Sequence, residues 1–301
     1  MKGRIVEKTA ALVCALVLSV VVMSGAVFAR GTASAAAGPS GEQPQSEAVL
    51  PVTENLAVTE VTDNRGQLPL LVNGIESGAC PVLDGELWVE PSTLCRALSL
   101  AVDGSTTADS CVLRGPIELT ANRGEPYFQF CGRYLPVEGG VRTLEGHVVL
   151  PMRTLAKCLG VTAVWDRAQW QVDVRGEAAP RTSAEVYVET DVYWLSRFIY
   201  AEASSRGLSL EGQIAVGDVI LNRLNSDRYP GQNNVYDVIF AKNAFDVVIN
   251  GMIYMEPDET SILAAKLALE GCDLVGHATR YSAGGSGAEG IRIDGLSFTE
   301  A

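Results

Sequence analysis

The chain contains an internal repeat whose two copies lie 61 residues apart. The first copy, GELWVEPSTLCRALSLAV, starts at Gly85, and the second, GHVVLPMRTLAKCLGVTA, starts at Gly146. Further on, CVLRG at 111–115 corresponds to VDVRG at 172–176. Each copy predicts a short strand, a turn marked by proline, one short helix and one or two further strands. A unit of this size cannot bury its own apolar face, so we expect both copies to pack as one small α+β domain over residues 67–176.

The start of the chain has a pattern typical of exported proteins. Three basic residues precede an apolar run that ends at Phe28. Residues 1–29 therefore predict a secretory signal peptide, with an uncleaved membrane anchor as the alternative. Residues 30–66 are rich in small and polar residues and predict a flexible linker, and a shorter linker is expected at 177–189. We expect a secreted or cell wall-associated protein that contacts the membrane only if the first segment is retained.

The charge of the chain restricts its partners. The formal net charge at pH 7 is −13, and no run of Lys and Arg offsets it locally. Binding to nucleic acid requires clustered cations that contact phosphates. We therefore predict that nucleic acid is not a partner.

Six cysteines follow the predicted signal segment, and the sequence leaves their chemistry open. An even number in an exported chain permits disulfides, but six cysteines allow fifteen pairings. Small buried apolar side chains are the alternative. No CxxC pair is present, so a zinc ribbon is unsupported. We predict no metal site and no cofactor. The six residues are Cys80, Cys95, Cys111, Cys131, Cys158 and Cys272.

One carboxylate stands out in the segment 190–301, which is predicted to be mainly helical. In WLSRFIYAEASSRG, the residues Leu195, Phe198, Ile199 and Glu202 follow helical spacing and share one face. A carboxyl group held against apolar side chains loses solvation of its charged form, so its pKa should rise, as a general acid requires. The alternative is an ordinary surface ion pair between Glu202 and Arg206, one turn further on. The pattern by itself favours neither.

The helices that follow have clear start and stop signals. Gly207 predicts the end of the first helix, and Ser209 predicts the N-cap of the next, LEGQIAVGDVILNRLNS. That second helix is apolar nearly all round except for Asp218 and Asn222, so it should lie in a core. A last helix should begin after Asp258 and end at Gly271.

Two stretches carry a resemblance to a known family. Residues 194–230, WLSRFIYAEASSRGLSLEGQIAVGDVILNRLNSDRYP, resemble the catalytic domain of the SleB-type spore-cortex-lytic and cell wall hydrolases, and NAFDVVINGMIYMEPDETSILAAKLALEG at 243–271 resembles a later region of it. The matching positions of the first stretch are Arg197, Tyr200, Ala201, Glu202, Ala203, Glu211, Gly212, Gln213, Ala215, Val216, Asn222, Arg223, Tyr229 and Pro230.

The resemblance implies a lysozyme-like, mainly α-helical catalytic domain over 190–301. Glu202 would be the catalytic acid and base, and the substrate would be the glycan strand of peptidoglycan, in spore cortex lysis or germination. The implied reaction is lytic transglycosylation, in which the 6-hydroxyl of the sugar closes on its own C1. An intramolecular nucleophile would explain a single glutamate, because ordinary glycosidases use two carboxylates. Three aspartates are candidates for a second one, and spacing selects none of them: Asp218, Asp237 and Asp246.

Four further residues are predicted to bind substrate. Gln213 and Asn222 match family positions, although buried amides often only satisfy backbone groups. Phe245 and Tyr281 are aromatic candidates for stacking on sugar rings, with plain core packing as the alternative. The family usually has Gln where this chain has Ala244, and the aromatic-rich stretch expected after Gly276 is replaced by ATRYSAGGSGAEG. These departures predict a groove that is remodelled at one end.

The repeat has a resemblance of its own. The stretches LLVNG at 70–74, VVLPMRTLAKCLGVTAVWD at 148–166 and WQVDVRG at 170–176 resemble the stalk-like N-terminal module of copper amine oxidases. That resemblance implies a spacer or adhesion module. It implies no copper chemistry, since His147 is the one histidine of the repeat and a mononuclear copper site requires several.

Two other functions compete with a glycan-cleaving enzyme. A wall-binding protein with an inactive catalytic domain is favoured by Ala244 and opposed by the intact YAEA and EGQ motifs. An N-acetylmuramoyl-L-alanine amidase that uses zinc needs histidine ligands, and the segment 190–301 contains His277 alone.

Overall fold

The computed structural model describes residues 66–166, 168–203, 206–283 and 290–300. The predicted signal peptide and, apart from Gly66, the predicted linker at 30–66 lie outside these residues. Within the described ranges, the helices are too short or too polar to cross a membrane.

The first part of the described chain is built mainly of strands. Two helices interrupt the strands, one in each copy of the repeat, and both begin next to a proline, at Pro91 and Pro151. The elements are β1 (Gln67–Val72), β2 (Ile75–Leu83), β3 (Glu86–Val89), α1 (Pro91–Ala97), β4 (Asp103–Thr106), β5 (Ser110–Arg114), β6 (Leu119–Asn122), β7 (Tyr127–Phe130), β8 (Arg133–Pro136), β9 (Arg142–Leu144), β10 (His147–Pro151), α2 (Met152–Cys158), β11 (Thr162–Asp166) and β12 (Gln171–Arg175).

The strands form two sheets. The larger has the order β11-β12-β1-β2-β3-β10-β9, and the smaller is the meander β4-β5-β6-β7-β8. Strands β3 and β10 begin the two copies of the repeat, and they pair antiparallel with Leu150 opposite Val89. The two copies therefore meet inside the larger sheet. They also diverge, because CVLRG lies in β5 of the smaller sheet whereas VDVRG lies in β12 of the larger one.

One buried cluster lies between these sheets and helices. Trp88 from β3 packs in it with residues of both helices, such as Leu94 and Leu155. Cys95 and Cys158 are fully buried in the same cluster, and none of the six described cysteines is in a disulfide. Four of the six are therefore small buried side chains, as in the second alternative, whereas Cys131 and Cys272 are half-buried free thiols.

The second part of the described chain is mainly helical. Its elements are α3 (Ser183–Val186), α4 (Glu189–Ala203), α5 (Leu210–Leu224), α6 (Val235–Ile239), α7 (Asp246–Ile249), a 3-10 helix (Met252–Tyr254), α8 (Glu259–Leu269), β13 (Arg280–Ala283), β14 (Ile291–Ile293) and β15 (Leu296–Thr299). Helices α4, α5 and α8 pack against one another around a second buried cluster. Together with the strand-rich part, this gives a chain of mixed α+β class.

The predicted helix boundaries at Ser209, Asp258 and Gly271 agree with the structure, whereas α4 ends at Ala203, before its predicted end at Gly207. The side chain of Ser209 caps α5 by accepting a hydrogen bond from the amide of Gly212, and Asp258 caps α8 in the same way through Ser261. Gly271, just beyond α8, has a φ of 90°, a backbone angle that glycine adopts without strain. Helix α5 is buried continuously from Gly212 to Ile220, as its apolar composition predicts.

The sequence did not predict the three strands at the end of the described chain. They form a sheet in the order β13-β15-β14, in which Tyr281 lies opposite Phe298. Phe298 is buried in the second cluster, so the sheet covers the helical core on one side. The described residues after Gly276, at 277–283 and 290–300, therefore pack with the helical core.

Candidate active site

A cleft of about 440 Å³ opens on the helical part of the chain. Its walls come from the end of α4, the end of α5, the region around α7, the 3-10 helix and β13. The lining residues are Ala201, Glu202, Arg206, Arg223, Ala244, Phe245, Asp246, Val247, Asn250, Met252, Arg280 and Tyr281.

Glu202 lies in the last turn of α4, and its side chain lines this cleft. It is 9% exposed and shares the buried face of the helix with Phe198 and Ile199, as helical spacing predicts. The carboxyl group is therefore placed among apolar neighbours while it still reaches the open space of the cleft.

Four influences act on the protonation of Glu202. Burial is the largest and raises the pKa of this carboxyl above its ordinary value. The hydroxyl of Tyr281 donates a hydrogen bond to it and the charge of Arg206 attracts it, and both act to lower the pKa. The negative charge of Asp246 acts in the same direction as burial. The net effect is a raised pKa, although Arg206 does form the ion pair considered from the sequence, at 3.6 Å.

The predicted substrate-binding residue Tyr281 is positioned by side chains of α5. The Nδ2 group of Asn222 donates hydrogen bonds to the carbonyl oxygens of Gly276 and Ala278, at 2.6 Å and 2.9 Å. The Nε group of Arg223 donates to the carbonyl oxygen of Thr279 at 2.8 Å. These bonds fix the chain that leads into β13, and they place Tyr281 beside Glu202. Asn222 thus binds the backbone and is not among the residues that line the cleft.

Phe245 also lines the cleft, but most of its ring is covered. It is 8% exposed and packs edge-on against Phe198, with ring centroids 4.6 Å apart. The guanidinium of Arg223 lies over the ring at 4.6 Å from its centroid. Ala244, at the position where the family usually has Gln, lines the same wall and offers no hydrogen-bonding side chain.

Gln213 is placed away from the cleft. Its Nε2 group donates to the carbonyl oxygen of Leu208 at 3.3 Å, and its Oε1 atom accepts from the hydroxyl of Ser261 at 2.9 Å. The side chain is 5% exposed, so it joins α5 to α8 inside the protein. This position favours the structural alternative for Gln213.

The three candidate second carboxylates lie in different places. Asp218 is buried in α5 and accepts a hydrogen bond from the amide of Leu274. Asp237 lies in the first turn of α6 and accepts from the amide of Asn233. Among the three, Asp246 is the one that lines the cleft with Glu202.

Arg280, which contributes a positive charge to the cleft, was not predicted from any sequence pattern. It lies in the segment that departs from the family pattern, and its place depends on the strand β13. Arg223 carried a usable signal, because it follows Asn222 in the Asn-Arg pair at the end of α5.

The fold and the site define the helical part as a domain in which a buried carboxyl group with a raised pKa, that of Glu202, lines an open cleft. Residues 207–289 match the family described as Cell Wall Hydrolase. The predicted resemblance of this part to SleB-type cell wall hydrolase catalytic domains is therefore confirmed. The match begins five residues after Glu202 and includes Phe245 and Tyr281.

Individual proteins are similar over about a third of the chain. A spore cortex-lytic enzyme of Halalkalibacterium halodurans is 47% identical over 95 residues, which are 32% of this chain and 28% of that protein. The crystal structure of the catalytic domain of the Bacillus cereus SleB protein is 34% identical with a TM-score of 0.34, covering 38% of this chain and 92% of that one. The catalytic domain of the germination-specific lytic transglycosylase SleB from Bacillus anthracis is 33% identical with a TM-score of 0.33, covering 38% and 97%.

The reach of these similarities is limited. The chain spans 28% of the length of the Halalkalibacterium relative. The family match does not extend to residues 67–176, so the resemblance of that part to the copper amine oxidase module stays a prediction. The domain boundaries at 176 and 190 likewise stay predictions.

Proposed function

We propose that this chain cleaves the glycan strands of peptidoglycan between N-acetylmuramic acid and N-acetylglucosamine by lytic transglycosylation. The observation that carries the proposal is the placement of Glu202, a buried carboxyl group with a raised pKa that lines an open cleft. The names of the similar proteins, which include a germination-specific lytic transglycosylase, support the same reaction.

Glu202 would act first as an acid and then as a base. In its protonated form it donates a proton to the glycosidic oxygen, and the bond between that oxygen and C1 of the muramoyl sugar breaks. The resulting carboxylate then accepts the proton of the 6-hydroxyl while O6 bonds to C1. The product is a 1,6-anhydro sugar, and Glu202 returns to its protonated form. A raised pKa suits both steps, because the group must gain and lose a proton near neutral pH.

The other residues of the cleft would support this cycle. The hydroxyl of Tyr281 holds the Glu202 carboxyl group in place through its hydrogen bond. The negative charge of Asp246 would stabilise the positive charge that develops at C1 as the bond breaks. The exposed edge of Phe245 would contact a sugar ring.

Hydrolysis is a second candidate, and the position of Asp246 favours it. A second carboxylate in the same cleft as the acid is what glycosidases use to activate water or to form a covalent intermediate. Both reactions use Glu202 as the acid, so the products distinguish them. Transglycosylation leaves anhydro ends, whereas hydrolysis leaves reducing ends.

The test is digestion of purified spore cortex and vegetative sacculi with the full chain, followed by mass spectrometry of the released muropeptides. We expect anhydro-muropeptides from the unchanged protein and none from Glu202→Gln. Glu189→Gln is the matched control, because it alters an exposed glutamate at the start of the same helix, α4. Freed stem peptides would show an amidase. Intact sacculi that still bind both Glu202 forms would show a wall-binding protein.

The remaining parts of the chain fit the same setting. We propose that residues 1–29 export the protein, that 30–66 tether it, and that 67–176 act as a spacer or adhesion module beside the catalytic domain at 190–301. The site of action would then be the cell wall or the spore cortex. The amounts of muropeptide released from the two substrates in the digestion above would show which of them is preferred.

A further inference from the structure

The cleft around Glu202 has an unusual concentration of positive charge for this chain. Three arginines line it, Arg206, Arg223 and Arg280, against the two carboxyl groups of Glu202 and Asp246. When Glu202 is protonated, three guanidinium groups face one carboxylate. The chain as a whole has a formal net charge of −13, so this cluster is not a general property of its surface.

Arg223 is a half-buried cation that lacks a carboxylate partner within the described part of the chain. Its Nε group is bonded to the backbone, and its guanidinium lies over the rings of Phe245 and Tyr229, at 4.6 Å and 5.3 Å from their centroids. Burial lowers the pKa of Arg223, and the nearby charge of Arg280 lowers it further. A partly desolvated cation of this kind is stabilised when an anion approaches it.

Arg280 lies next to Tyr281 in β13 and is exposed to the cleft. It is close enough to Arg223 for the two charges to repel. None of the ion pairs within the described residues includes Arg280. Arg206 differs, since it already pairs with Glu202 at 3.6 Å. The two cations without a carboxylate are therefore neighbours on one wall of the cleft.

We propose that Arg223 and Arg280 form a carboxylate-binding subsite beside Glu202, which takes a free carboxylate carried by the muramoyl residue of the substrate. The inference rests on the proposed function for its choice of substrate. The guanidinium group matches a carboxylate geometrically, because its parallel N–H groups can donate to both oxygens.

The chemistry of the glycan makes this subsite informative. Muramic acid has a lactyl group that ends in a carboxylate when no peptide is attached, and the stem peptide carries carboxylates when one is. N-acetylglucosamine carries no carboxylate at all. An anion subsite on one side of Glu202 would therefore decide which of the two alternating sugars is bound there, and so which glycosidic bond meets the acid.

The test measures binding to three forms of one glycan preparation. The first keeps its stem peptides, the second is stripped of them so that the lactyl carboxylates are free, and the third is the stripped form with those carboxylates capped as methyl amides. The full chain with Glu202→Gln prevents turnover during calorimetry. We expect the stripped strands to bind about tenfold more tightly than the capped strands, as for one charge-assisted hydrogen-bonded contact.

Variants of the two arginines then locate the effect. Arg280→Gln should remove the tenfold difference, and Arg280→Lys should retain part of it. Arg228→Gln is the control, because it removes an exposed arginine that is paired with Glu300 outside the cleft lining. If only the strands with stem peptides bind more tightly than the capped strands, the carboxylate belongs to the peptide. If the stripped strands bind more tightly than the capped strands, it belongs to the lactyl group.

Two results would overturn the subsite. One is equal affinity for all three forms of the glycan, including no detectable binding to any of them. The other is an Arg280→Gln variant that weakens binding to all strands by the same factor. Neither depends on turnover, so absence of cleavage by the unchanged protein would refute the proposed function and leave the subsite to be decided by the binding data.

Discussion

Arg133 donates two parallel hydrogen bonds to the carboxylate of Glu270, each 2.7 Å long, and both side chains are 2% exposed. Arg133 lies in β8 of the strand-rich part, whereas Glu270 follows α8 of the helical part. The backbone amide of Tyr134 donates to the hydroxyl of Tyr187 beside this pair. The two parts are therefore joined by a buried ionic contact as well as by the chain between them.

The first prediction concerns this ion pair. A buried charge that loses its partner keeps its desolvation cost, so Glu270→Gln or Arg133→Met should lower the free energy of unfolding by about 3–5 kcal/mol. Unfolding in urea, followed by circular dichroism, measures the change. The matched control is Arg123→Met, which breaks an exposed pair with Asp109 at 3.9 Å and should cost at most about 1 kcal/mol.

The double variant Arg133→Met with Glu270→Leu sharpens this test. Because neither variant residue leaves an unpaired buried charge, much of the lost stability should return. Equal losses for the buried and the exposed pair would show that the contact between the two parts contributes little to folding.

The second prediction concerns the pH dependence of cleavage. Glu202 acts as an acid only when protonated, so activity should fall as pH rises through its pKa. Asp246→Asn removes a negative charge that raises this pKa, and the alkaline limb of the pH–rate profile should move to lower pH. Tyr281→Phe removes a hydrogen bond that lowers the pKa, so the same limb should move to higher pH.

The opposite signs make these two variants controls for each other. General damage to the cleft would lower the rate of both variants, but it would not shift the alkaline limbs of their pH–rate profiles in opposite directions. Rates for Asp246→Asn, Tyr281→Phe and the unchanged protein are measured from pH 4 to 9 on the same sacculi, roughly the range in which a raised carboxyl pKa would titrate. Limbs that coincide would mean that a group other than Glu202 limits the reaction.

How far the sequence predicted the structure depended on the range of the interactions involved. The face of α4 that carries Glu202 follows from helical spacing, and the caps at Ser209 and Asp258 follow from local side chain to backbone bonds. These features need only a few neighbouring residues, so a pattern can reveal them.

Features that depend on distant contacts were not predictable in this way. The strand β13 and its Arg280 are held by bonds from Asn222 and Arg223, more than fifty positions earlier in the chain. The ion pair of Arg133 with Glu270 spans 137 positions. Neither leaves a periodic signal, because the partners are brought together only by the folded core.

The third prediction concerns Gln213, whose structural role is favoured by its position. Gln213→Leu leaves the hydroxyl of Ser261 without its acceptor inside the protein, which should cost about 1–3 kcal/mol of unfolding free energy. KM for glycan strands should stay unchanged, because the side chain is not part of the cleft lining. Gln129→Leu, on an exposed position of β7, is the control for the change in side-chain type. A rise in KM without loss of stability would restore the substrate-binding role.

The last prediction follows from Asp218, which α5 holds in a buried position. Burial raises the pKa of Asp218 from an ordinary value of 3.8 to about 7, with a further contribution from the charge of Asp273, while the hydrogen bond from the amide of Leu274 acts in the opposite direction. The folded state therefore binds this proton more tightly than the unfolded state does. Its contribution to stability is fully present below pH 3.8 and is lost as pH rises through about 7.

Asp218→Asn should remove that dependence. An amide oxygen at the same position can still accept the bond from Leu274 and carries no charge to desolvate. The variant should therefore be more stable than the unchanged protein at pH 8 and similar to it at pH 3.8 or below. Unfolding in urea at both pH values measures the difference, with Asp227→Asn, on an exposed turn, as the control for loss of one carboxylate. Because one fully shifted group changes stability by about 1.4 kcal/mol per pH unit, the effect is large enough to resolve. If Asp218→Asn and Asp227→Asn show the same pH dependence, the proton on Asp218 is not linked to folding, and the carboxylate is charged in the native state across this range.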